Sequence, residues 1–119
     1  MSERDIPSLL QDILEAIGNI KDFTKGITFD MYLGDLKTKH AVERNFSIIG
    51  EAVARIDKPF RDKYPSVDWR EVKDFRNIIV HDYFGIDDTI VWDIIHLNLD
   101  QLEKEIVVIL ASVSDENRK

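Results

Sequence analysis

The sequence predicts an all-α bundle of four main helices with a short extra turn. Three observations carry that expectation. Apolar residues recur at three- and four-residue spacing through most of the chain, no alternating strand pattern persists, and Pro59, Pro65 and Gly85 fall at the joints between periodic segments. At 119 residues, 44% apolar and 33% charged, the chain reads as one soluble domain, 1–119, able to bury a single core.

The first helix follows from Ile6, Leu10, Ile13, Ile17 and Ile20, the stripe of a packed helix. Ser2 or Asp5 can cap it, Pro7 is tolerated in its first turn, and Gly26 closes it. A second helix, starting after Gly34, carries Val42, Phe46, Ile49, Val53 and Ile56. The stretch "PFRDKYP" reads as an irregular connection or a single short turn. A third helix starts at Asp68, turns Val72, Phe75 and Ile79 inward, and breaks at Gly85. The last helix is expected to run unbroken from Asp87 or Asp88 to about Val113, with Trp92, Ile95, Leu99, Leu102, Ile106, Ile109 and Val113 as its main stripe. Ile90, Ile94 and Leu97 form a second apolar strip beside it, which predicts a dimer formed through helices.

The bulk numbers exclude several classes. No apolar run approaches the roughly 20 residues needed to cross a bilayer, so no membrane association is expected, and "MSERDIPSLL" has no signal-peptide pattern. Without cysteine there is neither a disulfide framework nor a thiolate nucleophile, and a cytoplasmic location is the expectation. A net charge of −7 argues against a general nucleic-acid coat. Between Lys58 and His81, however, six basic residues stand against four acidic ones, a weakly cationic patch on an acidic protein.

That patch ends in "FRNIIVHDYFG", where an arginine, an asparagine, a histidine and a tyrosine interrupt an apolar run. On a helical wheel Arg76 flanks the core face, Asn77 and His81 lie opposite it, and Arg76 and His81 are about 140° apart. Either the helix loosens before Gly85 or a second copy of the motif supplies the missing partner.

"RNIIVHDY" fits an Arg–four residues–His–any residue–Tyr pattern, flanked by "IIGEAVARI" and by "YPSVDWREVKDF" before it and "FGIDDTIVWDII" after it. Together these resemble the HEPN superfamily, specifically its HepT-like toxins. The resemblance implies a HEPN-type bundle and a metal-independent ribonuclease, working as a homodimer with both Arg–His motifs in one cleft. It further implies a small MntA-like nucleotidyltransferase antitoxin that transfers AMP to the motif tyrosine, here Tyr83.

The residue types suit that chemistry. RNA brings its own nucleophile, the 2′-hydroxyl, so cleavage needs proton transfer and charge stabilisation rather than a cofactor. Histidine, with an ordinary pKa of about 6.5, exchanges protons at cellular pH. Arginine cannot, but its planar fork holds two phosphate oxygens. His81 and Arg76 are therefore the catalytic candidates, Asn77 orients the imidazole or contacts phosphate, and Glu51 in "GEA" supports the motif helix. No metal is expected: His40 and His96 have no metal-ligand spacing, and Asp87 or Asp88 serves more economically as a helix cap than, with Asp82, as a two-metal cluster. A non-catalytic nucleotide- or partner-binding subunit of a nucleotidyltransferase complex is the alternative, and a plain dimeric scaffold the next.

Overall fold

Why each helix starts where it does is visible in its cap. The computed structural model describes residues 5–77 and 88–117, with side chains to residue 115. Helix α1 (Ile6–Thr24) opens on Asp5, whose carboxylate accepts a hydrogen bond from the Ser8 amide at 2.9 Å. Its amphipathic stripe is buried from Leu9 to Ile20. The chain leaves through Gly26, which takes a left-handed φ of +76°.

A short helix α2 (Phe29–Gly34), absent from the sequence reading, follows under a Thr28 cap. Six residues are too few to show an amphipathic period, so the cap was its one local signal. Helix α3 (Leu36–Ala54) starts at Asp35, which accepts from the Thr38 amide at 3.1 Å and the Thr38 hydroxyl at 2.7 Å. It lies along α1 and buries Val42, Phe46, Ile49 and Val53. Asn19 Nδ2 donates to Oδ1 of the buried Asn45 across that contact at 3.1 Å, and Asn45 Nδ2 donates in turn to the Ala41 carbonyl at 2.8 Å.

The proline-bracketed stretch holds a single turn of helix, α4 (Lys58–Asp62), capped by Asp57. Trp69 Nε1 then donates to the Tyr64 carbonyl at 3.0 Å and fixes the connection against α5 (Trp69–Asp74), which Asp68 caps. Val72 and Phe75 face inward as expected. The α-helix stops at Asp74 and tightens into a 3₁₀ turn over Phe75–Asn77, where the sequence reading had one continuous α-helix. Ile79 and the break at Gly85 lie outside the described residues.

The expected single last helix is two: α6 (Asp88–Leu97) and α7 (Leu99–Asn117), interrupted at Asn98. Hydrogen bonds from the Asn98 amide to Ile94 and from the Leu102 amide to Asn98 carry the chain across the break. The apolar period therefore runs through it unchanged, which is why spacing alone cannot reveal it. Ile95, Leu99, Leu102, Ile106, Ile109 and Val113 are buried, and Trp92 is half-buried against Phe29 and Tyr32 of α2. In the second strip Ile90 and Leu97 are exposed and Ile94 is half-buried. Among the described residues the fold is entirely helical, its buried apolar side chains form one cluster, and no helix is long and apolar enough to cross a membrane.

Candidate active site

The end of α5 sits against α3 closely enough that side-chain size decides the contact. A Cβ placed on Gly50 would collide with the Arg76 amide nitrogen and stand 2.7 Å from both Arg76 Cβ and the Lys73 carbonyl oxygen. Only a residue without a side chain lets the two backbones meet there. One turn earlier, Phe46 meets Phe75 edge-to-face, ring centres 5.1 Å apart. Phe75 is thus the buried nail and Gly50 the slot that together fix where Arg76 leaves the backbone.

Arg76 itself is exposed, and it forms no ion pair with Glu51, Asp74 or any other described residue. An arginine held by backbone packing with its guanidinium unengaged is available to an incoming anion without first breaking a bond. Asn77, expected opposite the core, is half-buried at the end of the 3₁₀ turn. Glu51 is exposed and has no hydrogen bond or ion pair among the described residues, and its neighbour Gly50 makes the close contact with Arg76. His81 and Tyr83 lie outside the described residues, as do Asp82 and Asp87.

The chain re-enters the described structure at Asp88, and there α3 holds it again. Lys39 Nζ lies 2.9 Å from the Asp88 carboxylate, with both side chains largely buried. Lys39 and Gly50 are eleven residues apart, three turns and about 16 Å along one face of α3. The same face carries Glu43, whose side chain is buried at 4% exposure. Both ends of the segment that contains His81 and Tyr83 are therefore anchored on one stripe of one helix, with a carboxylate between the anchors. Sequence reasoning missed Gly50 and Glu43. Glu43 shares the helical face of Phe46, a signal that could have found it. Nothing in a single sequence says what opposes a glycine.

Other candidates do not converge. His40 is exposed on α3, and His96 stacks edge-on against Trp92 at 4.3 Å on α6. Among the described residues no three His, Asp or Glu side chains are grouped to hold a metal ion.

Comparison with known proteins bears on the same segment. The family model described as "Ribonuclease HepT-like" matches residues 13–109. A "Putative RNase" of Methanocaldococcus jannaschii is 40% identical over 117 residues, covering 98% of this chain and 97% of its own. A second from that organism is 38% identical over 109 residues, 92% of this chain and the whole of the relative. A "Probable ribonuclease HepT" of Thermococcus cleftensis is 38% identical over 101 residues, 85% of this chain and 92% of the relative. No solved structure matches the chain.

Proposed function

This chain belongs to the ribonuclease HepT-like family of the HEPN superfamily, and we propose that it is a metal-independent endoribonuclease toxin that works as a homodimer. The observation that carries the reading is Arg76: locked in place through Gly50, exposed, and engaged by no carboxylate among the described residues, five residues before a histidine. In the reaction, one His81 imidazole takes the proton of the 2′-hydroxyl, and the resulting alkoxide attacks phosphorus. The bond to the 5′-oxygen then breaks as that oxygen receives a proton from a histidinium, leaving a 2′,3′-cyclic phosphate and a 5′-hydroxyl. The Arg76 fork holds the non-bridging oxygens as charge builds on them. Asn77 orients the imidazole or the phosphate. Two chains paired through the last helices would bring both motifs to one cleft, and the two histidines would then divide the base and acid steps.

Tyr83 is the site at which an MntA-like nucleotidyltransferase antitoxin would attach AMP, adding bulk and negative charge where RNA enters. Cell growth tests the whole reading. Expression should arrest bacteria, His81→Ala and Arg76→Ala should abolish the arrest, and purified protein should leave cyclic-phosphate ends in the presence of chelator. Arrest by both variants at wild-type strength, or products ending in 3′-hydroxyls that vanish with EDTA, would replace it. Co-expression with the antitoxin, read by mass spectrometry, should show adenylate on wild-type chain and none on Tyr83→Phe.

A further inference from the structure

On the side of α5 that faces the α6–α7 break lies a groove of about 240 Å³. Its apolar lining comes from Val67, Val72, Phe75, Leu97, Leu99 and Leu102. Leu97 is 74% exposed, the most open of the large exposed apolar side chains among the described residues. Three carboxylates, Asp68, Glu71 and Glu105, stand around this lining, and no lysine or arginine is among the described residues that line it. Glu71 and Glu105 have no ion-pair partner in the described structure. An apolar trough ringed by unpaired negative charge is complementary to one kind of surface.

We infer that this groove is a docking site for a cationic amphipathic helix of another protein, apolar residues entering the trough and lysines or arginines meeting Glu71 and Glu105. Charge selects this occupant over the alternatives. RNA is repelled by the three carboxylates, and a second copy seated here about a two-fold axis would bring the same carboxylates against each other. The groove also reaches the catalytic segment from behind. Phe75 lines it, and the next residue is Arg76. An occupant would thus touch the anchor of the guanidinium without competing for the face that binds phosphate.

A fluorescein-labelled model peptide of leucines and lysines in helical register serves as the probe, with binding read by anisotropy. The wild-type chain should bind it. Glu71→Gln with Glu105→Gln should weaken binding about tenfold through two exposed ion pairs, and Leu97→Gln should weaken it further with less dependence on salt. Neutralising the exposed acids Glu15 and Asp22 on α1 changes net charge equally and should leave binding within about twofold. Equal weakening by the α1 pair would make the attraction general and overturn the assignment. So would unchanged binding in Glu71→Gln with Glu105→Gln, or loss of homodimer in those variants by sedimentation, which would make the occupant a second copy. None of these outcomes depends on RNA cleavage.

Discussion

Replacing Gly50 with alanine is the sharpest test of how the site is built. The added methyl would overlap the Arg76 amide nitrogen and sit 2.7 Å from Arg76 Cβ and the Lys73 carbonyl, none of which can rotate away. Restoring ordinary contact, near 3.5–4.0 Å, requires α3 and the end of α5 to part by about 1 Å. Overpacking of that kind costs about 1–3 kcal/mol, and the better helix propensity of alanine returns about 0.5–1 kcal/mol. The expected net loss is about 1–2 kcal/mol, or about 4–8 °C in a thermal melt followed by circular dichroism. Cleavage should fall further, by about 10²-fold, because a 1 Å displacement of a positioned catalytic group is that costly. Gly18→Ala on α1 is the control, since a Cβ there meets nothing within 4 Å, and it should leave stability unchanged or slightly raised. If Gly50→Ala melts with or above the wild type and cuts RNA at full rate, the close backbone approach does not position Arg76.

Arg76→Lys should leave the melting curve within about 0.5 kcal/mol, because the side chain is exposed and has no ion pair among the described residues, while cleavage drops about 10²–10³-fold with loss of the planar fork. Lys39→Met should destabilise by about 1–2 kcal/mol in urea, and pairing it with Asp88→Asn should recover part of the loss; additive losses would show that the ion pair contributes no coupling. Acid stability should report two carboxylates. The hydrogen bond from Lys21 holds Asp100 below the ordinary carboxylate range, and the Thr38 side chain does the same for Asp35. Depressed folded pKa values mean that their stabilisation is present above about pH 4 and fades as pH falls through the folded values. Asp100 and Glu103 raise Lys21, so its own contribution holds below its ordinary value and is lost only as pH climbs through the raised one. Lys21→Met should therefore flatten the acid arm of a urea-midpoint titration between about pH 2.5 and 5, and an unchanged slope would count against the link between α1 and α7.

The sequence displayed the helices wherever burial enforces a period. Leu10, Ile13, Ile17 and Ile20, and then Val42, Phe46, Ile49 and Val53, are all buried as their spacing requires. It concealed what periodicity cannot encode. Helix α2 is shorter than two turns, and the Asn98 interruption leaves the apolar stripe in phase from Ile95 to Leu99 and Leu102. The candidate residues stood out in the sequence by type, because an arginine followed by a histidine has little to offer a core. Their support was not legible. Glu51 is the polar residue that attracts notice in "GEA", whereas the close approach to Arg76 is made by the glycine before it. Glu43 shares the face of Phe46, so spacing could have placed it inward, but nothing in the sequence says that this face also holds both ends of the motif segment.

An acidic protein that cleaves a polyanion must present positive charge without a carboxylate competing for it. The ion pairs of this fold show how the chain separates those duties. Lys21 is committed to Asp100 and Glu103, Lys39 to Asp88, and Lys58 to Asp62, each joining helices or steadying one. Arg76 is placed instead by backbone contact with Gly50 and by the ring of Phe75 against Phe46, and no described carboxylate engages its charge. A guanidinium fixed by a salt bridge would have to exchange one anion for another when phosphate arrives, and most of the gain would cancel. Fixing it by shape avoids that exchange. The long-range repulsion of a −7 chain is screened over about 8 Å at physiological salt, whereas the local attraction of an unpaired arginine acts at contact. Low salt should therefore slow RNA capture by this protein less than its net charge alone would require, and Arg76→Gln should remove that advantage.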